Sequence, residues 1–264
     1  MDNNLQTMSS DIDNIVATFG SDESAFMELT GQAATPKSEG LSRLNINYDT
    51  ETEDGETLTR GDWKMMYLGE MVYAKEILIK PILRTFEWSI FDAEQGVFSS
   101  KSVQKPTMSG DFPDTEGGNK CGRLSQDEED KLKDDDPLKL KSRSAVCNQV
   151  LYSKVSGKFR KANGEEIEIS EHPAVAYFKR SGFLPIRNFI DSLTRQKKIM
   201  QKCWISLKTD KKKKGSVTYF VPVPTLSSET EILDEDKELM KKFAETVKAH
   251  NHSVLEQSRE SAKL

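Results

Sequence analysis

The stretch 203–224, Cys-Trp-Ile-Ser-Leu-Lys-Thr-Asp-Lys-Lys-Lys-Lys-Gly-Ser-Val-Thr-Tyr-Phe-Val-Pro-Val-Pro, decides how the chain is read. Cys203, Ile205 and Leu207 point to one side of an extended strand, and Trp204, Ser206 and Lys208 point to the other. A second apolar run, Val217–Val223, returns after a tip made of Lys211, Lys212, Lys213, Lys214 and Gly215. The spacing predicts a β-hairpin with a basic tip, ended by Pro222 and Pro224 because proline cannot donate to a ladder.

Outward from this hairpin the same period-two pattern recurs. Upstream, Pro185 opens an amphipathic helix with Ile186, Phe189, Ile190, Leu193 and Met200 on its apolar face. Arg187, Asp191, Arg195, Lys198 and Lys202 fall on a different face. Near the start, Leu44, Ile46 and Tyr48 alternate with Arg43, Asn45 and Asn47, and strands are expected at 63–67 and 71–79. Pro81 implies an edge strand or a bulge, after which Phe86, Trp88 and Ile90 share a face. Asp92–Gly96 turns the chain into 97–103. Strands resume at 145–155 and 173–179, with an Asn163-Gly164 turn between them. Residues 105–143 read as a long acidic loop in which Ser125 and Glu128 form a capping box for a short helix at 126–133. A last helix over about 231–257 has Leu239, Met240, Phe243, Ala244 and Val247 as its stripe.

The expected organisation has three parts: an acidic, disordered tail at 1–40, a β-rich binding domain at 41–225, and a C-terminal helix within 226–264. The expected fold class is β-rich α+β. An OB-like barrel or a barrel-like antiparallel sheet would carry one internal helix, the basic β-hairpin and the terminal helix. A sandwich would show a similar pattern.

Charge is distributed unevenly along the chain. Residues 1–40 hold 7 acids and 1 base, whereas 141–220 hold 18 bases and 6 acids. A basic block of this length inside a chain of net charge −5 points to a polyanionic partner, with a solvated lysine surface as the alternative. No stretch approaches a membrane span and no signal-peptide layout opens the chain. The three cysteines, Cys121, Cys147 and Cys203, suit reduced thiols in a cytoplasm better than a disulfide framework.

Catalytic signatures are absent: no phosphate loop, no Gly-x-Gly-x-x-Gly turn, no His-Glu-x-x-His and no Gly-x-Ser-x-Gly. The expectation is a protein that is not an enzyme and needs neither metal nor cofactor. His250 and His252 are two apart and fall on different helix faces. Cys121 lies in a polar glycine-rich loop, where a reactive or metal-binding thiol is conceivable, but no Cys-x-x-Cys accompanies it and zinc normally takes four ligands. Asp134-Asp135-Asp136 reads as a solvated acidic loop rather than an ion site.

Single-strand binders combine basic grooves with aromatic platforms. The candidate contacts are Phe178, Lys179, Arg180, Arg187, Arg195, Lys198, Lys202, Trp204, Lys208, Lys211, Lys212, Lys213 and Lys214. Trp204 has two open readings, a stacking platform or a ring packed under the terminal helix. The segments 119–122, 151–157, 191–198 and 215–224 (Asn-Lys-Cys-Gly, Leu-Tyr-Ser-Lys-Val-Ser-Gly, Asp-Ser-Leu-Thr-Arg-Gln-Lys-Lys and Gly-Ser-Val-Thr-Tyr-Phe-Val-Pro-Val-Pro) resemble stretches of tailed-phage proteins. The family is single-stranded-DNA-binding and replication-associated, and the likeness spans about 41–225. It implies single-stranded DNA as partner, a role in phage replication or recombination, and a place in the host cytoplasm. The acidic tail, with its few apolar anchors, would then either dock other replication proteins or be disordered without a function of its own. The chain departs from such binders by ending Ser261-Ala262-Lys263-Leu264 instead of in an acidic, aromatic terminus. The alternative is a phage structural or protein-interaction protein with no nucleic-acid role; a metal-dependent nuclease comes third.

Overall fold

Alternating apolar residues build a meander of three short strands, β1 (Ser42–Ile46), β2 (Trp63–Tyr67) and β3 (Glu70–Ala74). Leu44, Trp63, Met65 and Val72 point inward and are almost wholly buried. The computed structural model describes residues 41–52, 54–92 and 97–263, and Ser42–Leu264 forms one compact unit. The expected tail at 1–40 and the turn residues 93–96 lie outside the described residues.

Two long strands complete the barrel. β6 (Val146–Lys161) and β7 (Glu166–Phe178) form a hairpin around the expected turn, where Gly164 takes φ +87°. β6 pairs with β3 at Lys161 and Arg160, and β7 pairs with β1 in parallel, Ser42 opposite Ala174. The order β1-β2-β3-β6-β7 thereby closes on itself as a five-stranded mixed barrel, of the OB-like kind expected. The parallel β1–β7 seam replaces a purely antiparallel sheet. Phe159, Ile169, Leu151 and Val155 fill the interior, and Ile186, Ile190 and Leu193 close it from outside.

Extra strands extend the sheet. β4 (Ile77–Asp92) pairs with β6 along most of its length, and the register shifts between Pro81 and Leu83, the bulge that Pro81 implied. β5 (Val97–Lys101) pairs with the end of β4, and β8 (Cys203–Lys214) with its beginning. β9 (Val217–Glu229) pairs with β8 throughout. The strands and loops differ from expectation in four details. The strand expected at 71–79 breaks after Ala74, and its second half belongs to β4. Lys211–Lys214 are strand residues paired with Val217–Phe220, so the turn shrinks to Gly215-Ser216. Pro222 and Pro224 do not end the sheet; they sit inside an edge strand, where a missing donor costs no ladder bond on the open side. The long loop also contains unforeseen helix.

That helix is the second of four. α1 (Gln126–Glu129) keeps the capping box, with the Ser125 N–H donating to Glu128 Oε2 at 2.9 Å, but stops four residues short of expectation. α2 (Pro137–Ser144) has proline in its first turn and Asp136 as cap, whose Oδ1 accepts from the Leu138 N–H at 2.8 Å. α3 (Phe183–Arg195) starts two residues before Pro185 and ends before Lys198, so Lys198, Met200 and Lys202 are not on it. α4 (Asp234–Ser261) lies over the outer face of β4 and β6, with Phe243 5.3 Å from the Tyr152 ring. No helix among the described residues is long and apolar enough to cross a membrane.

Candidate nucleic-acid interface

At one end of the barrel the β8–β9 hairpin crosses the mouth. Thr209 Oγ1 donates to the Gly61 carbonyl at 2.6 Å, and the Trp63 indole N–H donates to the Leu207 carbonyl at 3.0 Å. Gly61 takes φ +93°, and a Cβ there would sit 2.5 Å from the Phe220 ring, so this close approach requires glycine. The crossing leaves a cleft of about 360 Å³ whose walls include Tyr48, Trp63, Tyr177, Phe220 and Lys179. Tyr48 meets Phe220 edge-on at 5.7 Å and remains 46% exposed.

A basic rim gathers on the outer side of the β1–β7 seam and touches this cleft through Tyr177 and Lys179. Arg43 leaves β1 and its guanidinium lies 4.6 Å from the centre of the Tyr177 ring. Lys179 and Arg180 follow the end of β7, and the Lys179 ammonium lies 5.7 Å from the Phe91 ring. Phe91, 48% exposed, meets Phe98 edge-on at 5.2 Å, and Lys101 lies 4.3 Å from the Phe98 ring. Arg43, Lys179 and Arg180 form no ion pair with any acid among the described residues. Partial desolvation, then the nearby charges of Arg43 and Arg180, pull the Lys179 ammonium below its ordinary pKa. Like charges held this close are relieved by a bound anion.

No protein-family model, curated protein or solved structure matches this chain. The site rests on its own geometry.

Beneath the cations lies a buried acid. Glu87 accepts from Gln104 Nε2 at 2.9 Å and from Asn148 Nδ2 at 3.3 Å, with His250 Nε2 3.7 Å away. Burial raises its pKa, and His250, the Gln104 hydrogen bond, Lys101 and Arg43 oppose that rise.

The expected contact residues separate into groups. Lys179 and Arg180 belong to the rim just described. Phe178 does not present a face to a base: it is 5% exposed and packs edge-on against Trp63 at 6.4 Å inside the barrel. Arg187 pairs with Asp191 at 3.6 Å on α3, and Arg195 is exposed at the end of that helix. Lys198 is bound to Glu229, Lys202 to Glu231 at 2.6 Å and Lys208 to Glu76 at 3.1 Å. Trp204 is half-buried on the side of β8 opposite Cys203 and Ile205. Lys202 and Lys211 are separated by the length of β8, roughly 30 Å at the usual strand rise, so the basic block is not one surface. Along the hairpin, Lys211 pairs with Phe220, which lines the cleft, and therefore points to the same side. Lys213 follows Lys211 on that side, while Lys212 turns away and pairs with Asp210 at 2.5 Å.

Arg43, Tyr48, Phe91, Phe98 and Lys101 were missed. The available signal was an arginine or lysine close to an aromatic in two period-two strands outside the basic block. Cys121, conceivable as a reactive thiol, is fully buried; desolvation pushes its pKa up to about 12, and its Sγ donates to the Trp88 carbonyl at 3.3 Å. Asp134 pairs with Lys139 and Arg143, each at 3.1 Å, which accounts for part of the acidic run locally.

Proposed function

We propose that the protein binds single-stranded DNA, without catalysing a reaction, in phage replication or recombination. One observation carries this reading: Arg43 and Lys179, which form no ion pair among the described residues, lie against the rings of Tyr177 and Phe91, with Arg180 next along the chain. Phosphates need cations that are not already neutralised, and unpaired bases need exposed ring faces. Duplex DNA keeps its bases stacked and gains nothing from Phe91 or Tyr48. The phage assignment is supported by the resemblance at 119–122, 151–157, 191–198 and 215–224, and the non-catalytic assignment by the missing signatures.

Fluorescence anisotropy with labelled single-stranded and duplex DNA, at several salt concentrations, tests this. Tighter binding of the single strand, weakening linearly in log–log form with salt, is expected. No single-strand binding at low salt would overturn it. A second reading, a structural or protein-interaction role, is favoured by the pairing of Lys198, Lys202, Lys208 and Lys212 with local acids. Cations spent in this way serve solubility and local structure, and the second reading replaces the first if the parent protein ignores DNA.

A further inference from the structure

A second cleft opens beside the candidate interface, between β5 and the C-terminal helix α4. It encloses about 520 Å³, within the range of roughly 300–1,000 Å³ typical of ligand sites. Phe98, Lys101, Thr115, His250, Ser253 and Gln257 supply its chemistry, and among the described residues its walls contain one lysine and no acid. From this arrangement we infer a subsite for one unpaired nucleotide, the base stacking on Phe98 and its phosphate meeting Lys101. The inference rests on the single-strand reading and extends it to a defined pocket.

The polar groups are placed to meet a base edge. The Gln257 amide N–H donates to Ser253 Oγ across a long 3.4 Å, leaving the amide oxygen free as an acceptor. Thr115 Oγ1 accepts from the Lys101 N–H at 3.2 Å, so its own hydroxyl hydrogen is free to donate. The His250 Nε2–H is committed to the Ser102 carbonyl at 3.0 Å, which fixes the ring and leaves Nδ1. A nucleobase edge displays both donors and acceptors and matches this mixture. At present Lys101 rests over the Phe98 ring at 4.3 Å. An exposed cation–π contact contributes less than base–aromatic stacking, so a base displaces the ammonium, which swings to the phosphate. The pocket is continuous with the rim, because Phe98 pairs with Phe91, and Phe91 carries Lys179.

The test uses the full chain and a 15-nucleotide oligothymidine with one central 2-aminopurine, whose fluorescence reports stacking. Phe98→Ala and Gln257→Ala are compared with the parent, and with Lys212→Ala as a variant outside the pocket. Thermal melts confirm folding, and Phe98→Tyr, which keeps a ring, covers the case in which Phe98→Ala does not fold. Expected are a fluorescence change in the parent, at least fivefold weaker binding with loss of that change in Phe98→Ala, weaker binding in Gln257→Ala, and retention in Phe98→Tyr. Parent-like affinity and fluorescence in both Phe98→Ala and Gln257→Ala would overturn the subsite and leave single-strand binding standing. Absence of binding by the parent would overturn both.

Discussion

Asp236 is 1% exposed and sits between two buried ammonium groups, Lys80 at 2.7 Å and Lys154 at 2.7 Å. Desolvation alone would raise its pKa, but the bonds from Lys154, Lys80 and the Leu233 N–H outweigh it and hold the carboxyl at about 2. A carboxyl depressed in this way adds stability that is complete above the unfolded value near 4 and disappears as pH falls through about 2. The difference corresponds to about 2 kcal/mol. Glu87 has the opposite sign: burial raises its pKa, so its contribution is present at low pH and fades as pH rises through the folded value. Urea midpoints measured from pH 2 to pH 5 should therefore rise steeply in the parent. In Asp236→Asn the rise should be smaller, and at neutral pH the variant should lose about 3 kcal/mol because the buried Lys80 ammonium loses its counter-charge while Lys154 keeps only Glu171, at 2.7 Å. An Asp236→Asn protein with the parent's acid profile would show that this pairing does not control acid stability.

The hairpin shows what patterning can and cannot specify about an element. Its existence was readable from Cys203–Leu207 and Val217–Val223, because side-chain alternation is a local property. Its extent was not, since four consecutive lysines carry no alternation and favour a turn assignment over a strand, yet pairing with Val217–Phe220 carries β8 through them. The same limit applies to α2: Asp136-Pro137 is a start signal, but the eight residues of the helix, Pro137–Ser144, lack a clear apolar stripe. Strand geometry now alters the expected binding contribution of the lysines. Lys211 and Lys213 share the side of Phe220 and the cleft, whereas Lys212 and Lys214 face away. Two phosphate contacts on a single strand account for about 1.4 in the log–log salt slope, at 0.7 each. The Lys211→Ala/Lys213→Ala protein should lose about that much, and the Lys212→Ala/Lys214→Ala protein much less. Equal losses in anisotropy titrations would mean that the strand's two faces do not discriminate.

For the molecule as a whole, closure depends on contacts that no local pattern reveals. The parallel β1–β7 seam joins residues about 130 positions apart, Ser42 to Ala174, and the rim exists because Arg43 lies on β1 and Lys179 directly follows β7, its partner at that seam. Sequence reading found Lys179 and Arg180 through local composition and missed Arg43 and Phe91, whose importance comes from where the barrel places them. The terminal helix is similar. Its apolar stripe was legible, but α4 is also anchored by polar contacts that involve backbone far upstream. Asn251 Oδ1 accepts from the Gln104 N–H at 2.6 Å, and its Nδ2 donates to the Gln104 carbonyl at 2.9 Å, the two bonds a neighbouring strand would make. Asn251→Ala leaves both backbone groups of a buried residue without a partner. Each unmet group costs about 1–3 kcal/mol, so the variant should lose roughly 3 kcal/mol and melt roughly 5–10 °C lower. Glu256→Ala, on the exposed side of the same helix, should melt within about 2 °C of the parent, consistent with the small effect of most surface changes. If the two variants melt together, Asn251 does not dock the helix, and α4 is held instead by Phe243, Val254 and the Lys80–Asp236–Lys154 cluster.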